Sequence, residues 1–79
     1  MELLKRIEIK PEVLKGKPVI KGTRLSVPFI LNLLAKGLPI EEILEEYSGL
    51  EREDVLACLI FASETVDKQI FLPIKKGAA

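Results

Sequence analysis

The side chains with the most chemistry in them are unevenly spread. Residues 1–25 carry Lys5, Arg6, Lys10, Lys15, Lys17, Lys21 and Arg24 against only Glu2, Glu8 and Glu12. Residues 26–66 reverse the balance, with Lys36 and Arg52 against Glu41, Glu42, Glu45, Glu46, Glu51, Glu53, Asp54 and Glu64. Residues 67–79 are basic again, with Lys68, Lys75 and Lys76 against Asp67. The 12 cations and 12 carboxylates of the 79-residue chain cancel in total, yet a segregated charge can steer a polyanion toward one face. The seven cations of the first segment are therefore the candidate DNA-binding set. The competing reading is that basic and acidic segments attract each other, within one chain or between two. Arg24, beside the Gly22-Thr23 turn, is equally suited to an ion pair with a carboxylate of the second or third helix.

Catalytic parts are scarce. The chain has no His, which removes Ser-His-Asp and Cys-His mechanisms and any His-based metal site. A single Cys makes neither an internal disulfide nor a Cys-rich zinc centre. Cys58 lies in the apolar run Val55–Ala62, where a small buried hydrophobe is expected. Lys17, Lys21 and Thr23 stand near glycines without the spacing of a phosphate loop. Glu41, Glu42, Glu45 and Glu46 repeat on one face of a helix, the pattern of a solvated surface. We expect no catalytic, cofactor or metal site and no small-molecule substrate. Met1–Arg6 lacks the apolar core of a signal peptide, and no apolar run reaches the ~20 residues of a membrane span. A cytoplasmic chain is expected.

These residues must be positioned by one small domain. Ile7-Glu8-Ile9-Lys10 alternates as a half-buried strand does, and Pro11 ends it. Pro11–Leu14 suits one helical turn. Gly16-Lys17-Pro18 and Gly22-Thr23-Arg24 read as turns around the apolar pair Val19-Ile20, and Leu25–Val27 reads as a further short strand. A helix is predicted from Val27 to Lys36, capped by Ser26 and stopped at Gly37, with Val27, Ile30, Leu31 and Leu34 on one face. A second starts at Pro39, with Ile40, Ile43, Leu44 and Tyr47 on its apolar face, and ends at Ser48-Gly49. A third runs from Arg52 to Gln69. The expected fold class is mainly α: a trihelical helix-turn-helix domain over residues 1–66 with a short N-terminal β element.

The run Val55–Ala62 is apolar nearly all round, whereas so small a domain offers core on one side of a helix. Val55, Leu56, Leu59, Ile60 and Phe61 are therefore the candidate homodimer interface. Residues 67–79 form a tail in which Phe71, Leu72 and Ile74, with Lys75 and Lys76, are the candidate partner-binding residues, because buried aromatic and aliphatic anchors dominate interfaces; the competing reading is that this tail packs back onto its own domain or pairs in the dimer.

The run Gly16–Val27, with Leu34, Gly37, Glu41-Glu42-Ile43-Leu44, Tyr47, Leu50 and Asp54-Val55, resembles the family called domain of unknown function 433. The resemblance covers roughly residues 7–66, and its most specific phrase is Pro18–Val27. It implies a homeodomain-like trihelical fold and the antitoxin role often proposed for members, whose genes commonly stand beside a gene for a PIN-like ribonuclease toxin. Pro39 and Glu51 stand where the family often has a Ser or Thr cap, and Ser48 where a proline often follows the tyrosine.

A DNA-binding helix-turn-helix puts its second helix in the major groove. Here that helix opens Glu51-Arg52-Glu53-Asp54, which would set carboxylates against phosphates. Standard groove insertion is not expected, so any DNA binding falls to the basic N-terminal segment.

Overall fold

The computed structural model describes residues 2–68. The chain opens with a 3-10 turn, Glu2–Arg6, that runs directly into β1, Ile7–Ile9. A second 3-10 turn, Leu14–Gly16, precedes β2, Pro18–Ile20. Three helices follow: α1, Val27–Ala35; α2, Ile40–Glu46; and α3, Arg52–Lys68. The architecture is mainly α with a short N-terminal β element, as the sequence indicates.

β1 and β2 pair antiparallel, with Ile7 opposite Ile20, Glu8 opposite Val19 and Ile9 opposite Pro18. Pro18 was expected in a turn; it opens the strand instead, a place where the missing N–H costs nothing in the ladder. The strand expected at Leu25–Val27 shrinks to a single bridge between Val19 and Ser26, because Ser26 is already committed as the cap of α1. Its hydroxyl accepts from the Phe29 amide at 3.1 Å, satisfying one of the free donors of the first turn. A turn forms where expected after β1, with the Val13 amide bonding the Lys10 carbonyl at 3.0 Å, and a second turn follows at Leu14–Gly16. Leu14, Lys15 and Gly16 have φ of 49°, 57° and 82°, so the turn is left-handed and two non-glycine residues carry its strain.

The tight turn after β2 is built by its own side chain. The Thr23 hydroxyl donates to the Ile20 carbonyl at 2.8 Å and accepts from the Leu25 amide at 3.0 Å. Gly22, at φ 80°, supplies the positive φ such a turn needs. These contacts explain the spacing of Gly22, Thr23 and Leu25. Helix α1 ends in a Schellman arrangement: the Gly37 amide bonds the Leu34 carbonyl at 2.9 Å and the Leu38 amide bonds the Leu33 carbonyl at 3.2 Å.

One core joins the two strands and the three helices. Ile20, Val27, Ile30, Ile43, Leu50, Val55 and Cys58 form its buried cluster. Phe29 and Tyr47 meet edge to face, with ring centroids 5.6 Å apart, and tie α1 to the end of α2. Helix α3 packs its N-terminal half on the opening 3-10 turn, β1, α1 and α2. It has 17 residues against nine in α1 and seven in α2, so it is roughly twice as long as either. Its buried residues are Asp54, Val55, Ala57 and Cys58, all in that first half. The second half carries the same apolar stripe beyond the core.

Candidate functional site

The N-terminus of α3 is where the basic and acidic segments meet. Arg6 Nη1 donates to Glu51 Oε1 at 2.8 Å and to Asp54 Oδ1 at 3.0 Å. Asp54 Oδ2 accepts from the Glu51 amide at 2.9 Å. Asp54 thus performs the return half of a capping box while holding Arg6. Its hydrogen bonds to Glu51 first, and then Asp54, raise the Arg6 pKa further above its ordinary value. Beside this cluster Arg52 reaches Glu41 of α2 at 3.3 Å. The Glu41 carboxylate is held below its usual range, first by its own backbone amide and then by Arg52.

This geometry changes the sequence expectations in two ways. The predicted ion pair exists but belongs to Arg6, not to Arg24, which lies exposed in the turn after β2. Arg6 is therefore withdrawn from the candidate DNA-binding set, because its guanidinium is spent on α3. The first turn of the helix that would read a groove is likewise occupied by intrachain charge pairs.

The other six cations, Lys5, Lys10, Lys15, Lys17, Lys21 and Arg24, are all exposed. They fall at two ends of the hairpin. Lys10 and Lys17 flank the Ile9–Pro18 pair, with Lys15 in the connecting turn. Lys21 lies at the other end, where its amide donates to the Arg6 carbonyl at 2.8 Å, and Lys5 and Arg24 accompany it. Strands of three residues separate the ends by about 10 Å. Lys5 and Lys10 also lie near Glu2 and Glu8, at 3.6 and 3.9 Å, which offsets part of their charge.

The candidate dimer residues separate as well. Val55 is fully buried in the core of its own chain and leaves the interface set. Leu56, Ile60 and Phe61 are half-buried, and Phe61 packs partly on the core. Leu59 is 43% exposed and Val66, which sequence reasoning did not place in the interface, is 55% exposed. An open depression is lined by Leu59, Ala62, Ser63, Glu64, Val66 and Asp67. On the other side of α3, Phe61, Ala62, Thr65 and Val66 face Pro18, Val27, Pro28 and Leu31 across an apolar groove of about 200 Å³. The period of the stripe was visible in the sequence; that it overhangs the core was not, since this depends on the shortness of α1 and α2. Phe71, Leu72, Ile74, Lys75 and Lys76 lie outside the described residues.

The architecture defines the class: a small, mainly α, trihelical domain with an N-terminal hairpin. Residues 7–62 match the family described as Protein of unknown function (DUF433), and the chain belongs to that family. It is 35% identical over 52 residues to the uncharacterized protein y4eO of Sinorhizobium fredii (strain NBRC 101917 / NGR234), a match covering 66% of this chain and 24% of that protein. The chain thus spans about a quarter of that relative's length. The crystal structure of a DUF433 member protein from Anabaena variabilis ATCC 29413 superposes with a TM-score of 0.76 at 30% identity, covering 85% of this chain and 66% of that one.

Proposed function

We propose that this chain is a non-enzymatic interaction protein, the antitoxin of a toxin–antitoxin pair that binds and neutralises a PIN-like ribonuclease. One observation carries the binding part of this reading. Beyond Cys58, α3 leaves Leu59 and Val66 exposed on an apolar stripe continuous with the core. Apolar surface of this kind, placed at the end of a long helix and followed by Ile70, Phe71, Leu72 and Ile74, is suited to a protein partner. Lys68, Lys75 and Lys76 suit a surface rich in the carboxylates that a metal-dependent nuclease displays. The nuclease identity rests on the role often proposed for members of the family, whose genes commonly stand beside a gene for a PIN-like ribonuclease. The trihelical body forms a homodimer in this reading, with Leu56, Leu59, Ile60 and Phe61 as its contact residues. Co-expression with the product of the neighbouring gene tests the proposal. The expected result is a stable complex and relief of that protein's toxicity; a neighbour that is neither bound nor toxic contradicts it.

The second reading is a DNA-binding regulator, autoregulatory if it acts with the toxin. It is supported by the six exposed cations at the two ends of the hairpin, which a dimer would double. Binding of this kind uses phosphates and weakens linearly on a logarithmic salt axis. Titration of duplex DNA at low and moderate salt checks it; undetectable affinity at low salt sinks it.

A further inference from the structure

We infer that the apolar groove between α1 and α3, together with a cationic depression beside it, docks a segment of a protein partner that carries apolar side chains next to a carboxylate. Pro18, Pro28 and Leu31 form one wall of the groove and Phe61, Ala62 and Val66 the other. Thr65 is the polar side chain among the lining residues, and its hydroxyl donates to the Phe61 carbonyl at 2.8 Å. The walls therefore accept apolar surface and penalise an unpaired charge. At about 200 Å³ the groove is smaller than the roughly 300–1,000 Å³ of pockets that enclose a small molecule. It has room for the anchor side chains of a longer segment.

The two sides of the groove differ in charge. On the β2 side, Pro18 and Val27 line the groove, and the residues just before them, Lys17 and Ser26, line a depression of about 330 Å³ with Leu14 and Lys15. Consecutive Cα atoms stand about 3.8 Å apart, so groove and depression adjoin. On the α3 side, Ala62 and Val66 are shared with the depression that Glu64 and Asp67 line. Lys15 and Lys17 are exposed. Among the described residues neither has a carboxylate within ion-pairing distance, unlike Lys5, Arg6 and Lys10. Lys15 sits at φ 57° and ψ 34°, a conformation that glycine would take freely; the chain sets a cation there instead. The Ser26 hydroxyl accepts from the Phe29 amide and keeps its proton for an incoming carboxylate. Two unpaired cations and a hydroxyl beside an apolar groove complement a segment with apolar anchors and an Asp or Glu on the β2 side. Glu64 and Asp67 disfavour the same segment turned the other way. The inference rests on the reading of this chain as an interaction protein and holds whether or not the partner is a nuclease.

Selection of random peptides displayed on phage against the full chain tests this without knowledge of the partner. Selected sequences are expected to combine apolar residues with a neighbouring Asp or Glu. The selected peptides are then titrated against wild type, Thr65→Arg, and the double variant Lys15→Asn/Lys17→Gln. All three positions are exposed, and Asn tolerates the left-handed backbone at position 15. Thr65→Arg is expected to weaken binding about tenfold or more, the scale of a blocked anchor pocket. The double variant is expected to weaken it about fivefold, the upper scale of exposed ion pairs, and to remove most of its salt dependence. If Thr65→Arg fails to fold, Val66→Ser gives the groove comparison. Failure to enrich any sequence overturns the inference, and so does equal affinity for wild type and either folded variant. If no peptide is enriched and Thr65→Arg converts a dimer to a monomer, a second copy fills the groove, which also overturns it. The neighbouring gene product takes no part, so failure here leaves the co-expression test of the antitoxin reading standing.

Discussion

Asp54 works in two directions from one carboxylate. One oxygen caps the amide of Glu51 and the other holds Arg6, so the residue fastens the opening 3-10 turn to the start of α3. Asp54→Ala removes both and is expected to destabilise the fold by about 1 kcal/mol or more, the usual cost of a lost helix cap. Asp54→Asn keeps an acceptor for the cap and loses the ionic half, so its denaturant midpoint is expected to fall between those of wild type and Asp54→Ala. Equal midpoints for the Ala and Asn variants would show that the cap contributes nothing. Cys58 is the other informative residue. Burial, with the nearby Asp54 charge adding to it, pushes its thiol from 9.0 up to about 12. The folded chain keeps a proton that the unfolded chain releases, so this residue's contribution is complete below pH 9 and is lost as pH rises from 9 toward 12. Chemical denaturation across that range is expected to show a steeper loss of stability for wild type than for Cys58→Ala. At pH 8 the folded protein should resist alkylation, with labelling following unfolding.

Helix α3 is divided between two tasks, and substitutions should separate them. Ile43 of α2, fully buried against it, supports the core half: Ile43→Ala is expected to cost about 3 kcal/mol through lost burial and a residual cavity. Val66 lies on the overhanging half and is 55% exposed. Val66→Ser is expected to change stability by less than about 0.5 kcal/mol while weakening partner binding, as thermal melts and a binding titration would register. The three helices were legible in the sequence because their signals are local. Ser26 caps α1, Gly37 ends it, and the 3.6-residue period of Val27, Ile30, Leu31 and Leu34 marks its inner face. The hairpin was only half legible. Pro18 read as a turn, and the left-handed Leu14-Lys15 backbone gives no signal in residue types that rarely adopt it. The Arg6 clamp joins residues 45 and 48 positions apart, a distance over which no periodicity speaks. Glu51 and Asp54 stand three apart, as cap partners do, and that was the available clue.

At the scale of the molecule, charge and apolar surface are sorted to different places. The exposed cations gather at the two ends of the hairpin, the carboxylates line α2 and the start of α3, and the bare apolar stripe runs along the end of α3. Among the described residues no helix is long and apolar enough to cross a membrane. In a DNA-reading arrangement the first turn of α3 would have to be free and electropositive, whereas here Glu51, Glu53 and Asp54 occupy it. The sequence anticipated that conflict, and the geometry adds that Arg6 is engaged with Glu51 and Asp54, and Arg52 with Glu41, within the chain. The surface that a partner would meet first is the overhanging half of α3. The central claim is that this half and the residues following it hold a nuclease partner. Its most direct test is the purified product of the neighbouring gene titrated with the full chain and with the Val66→Ser variant, followed by both complex formation and ribonuclease activity. The account predicts a stoichiometric complex that suppresses RNA cleavage with the full chain, and weakened binding and suppression with Val66→Ser. A complex that forms equally well with both chains, or RNA cleavage that continues in its presence, would contradict it.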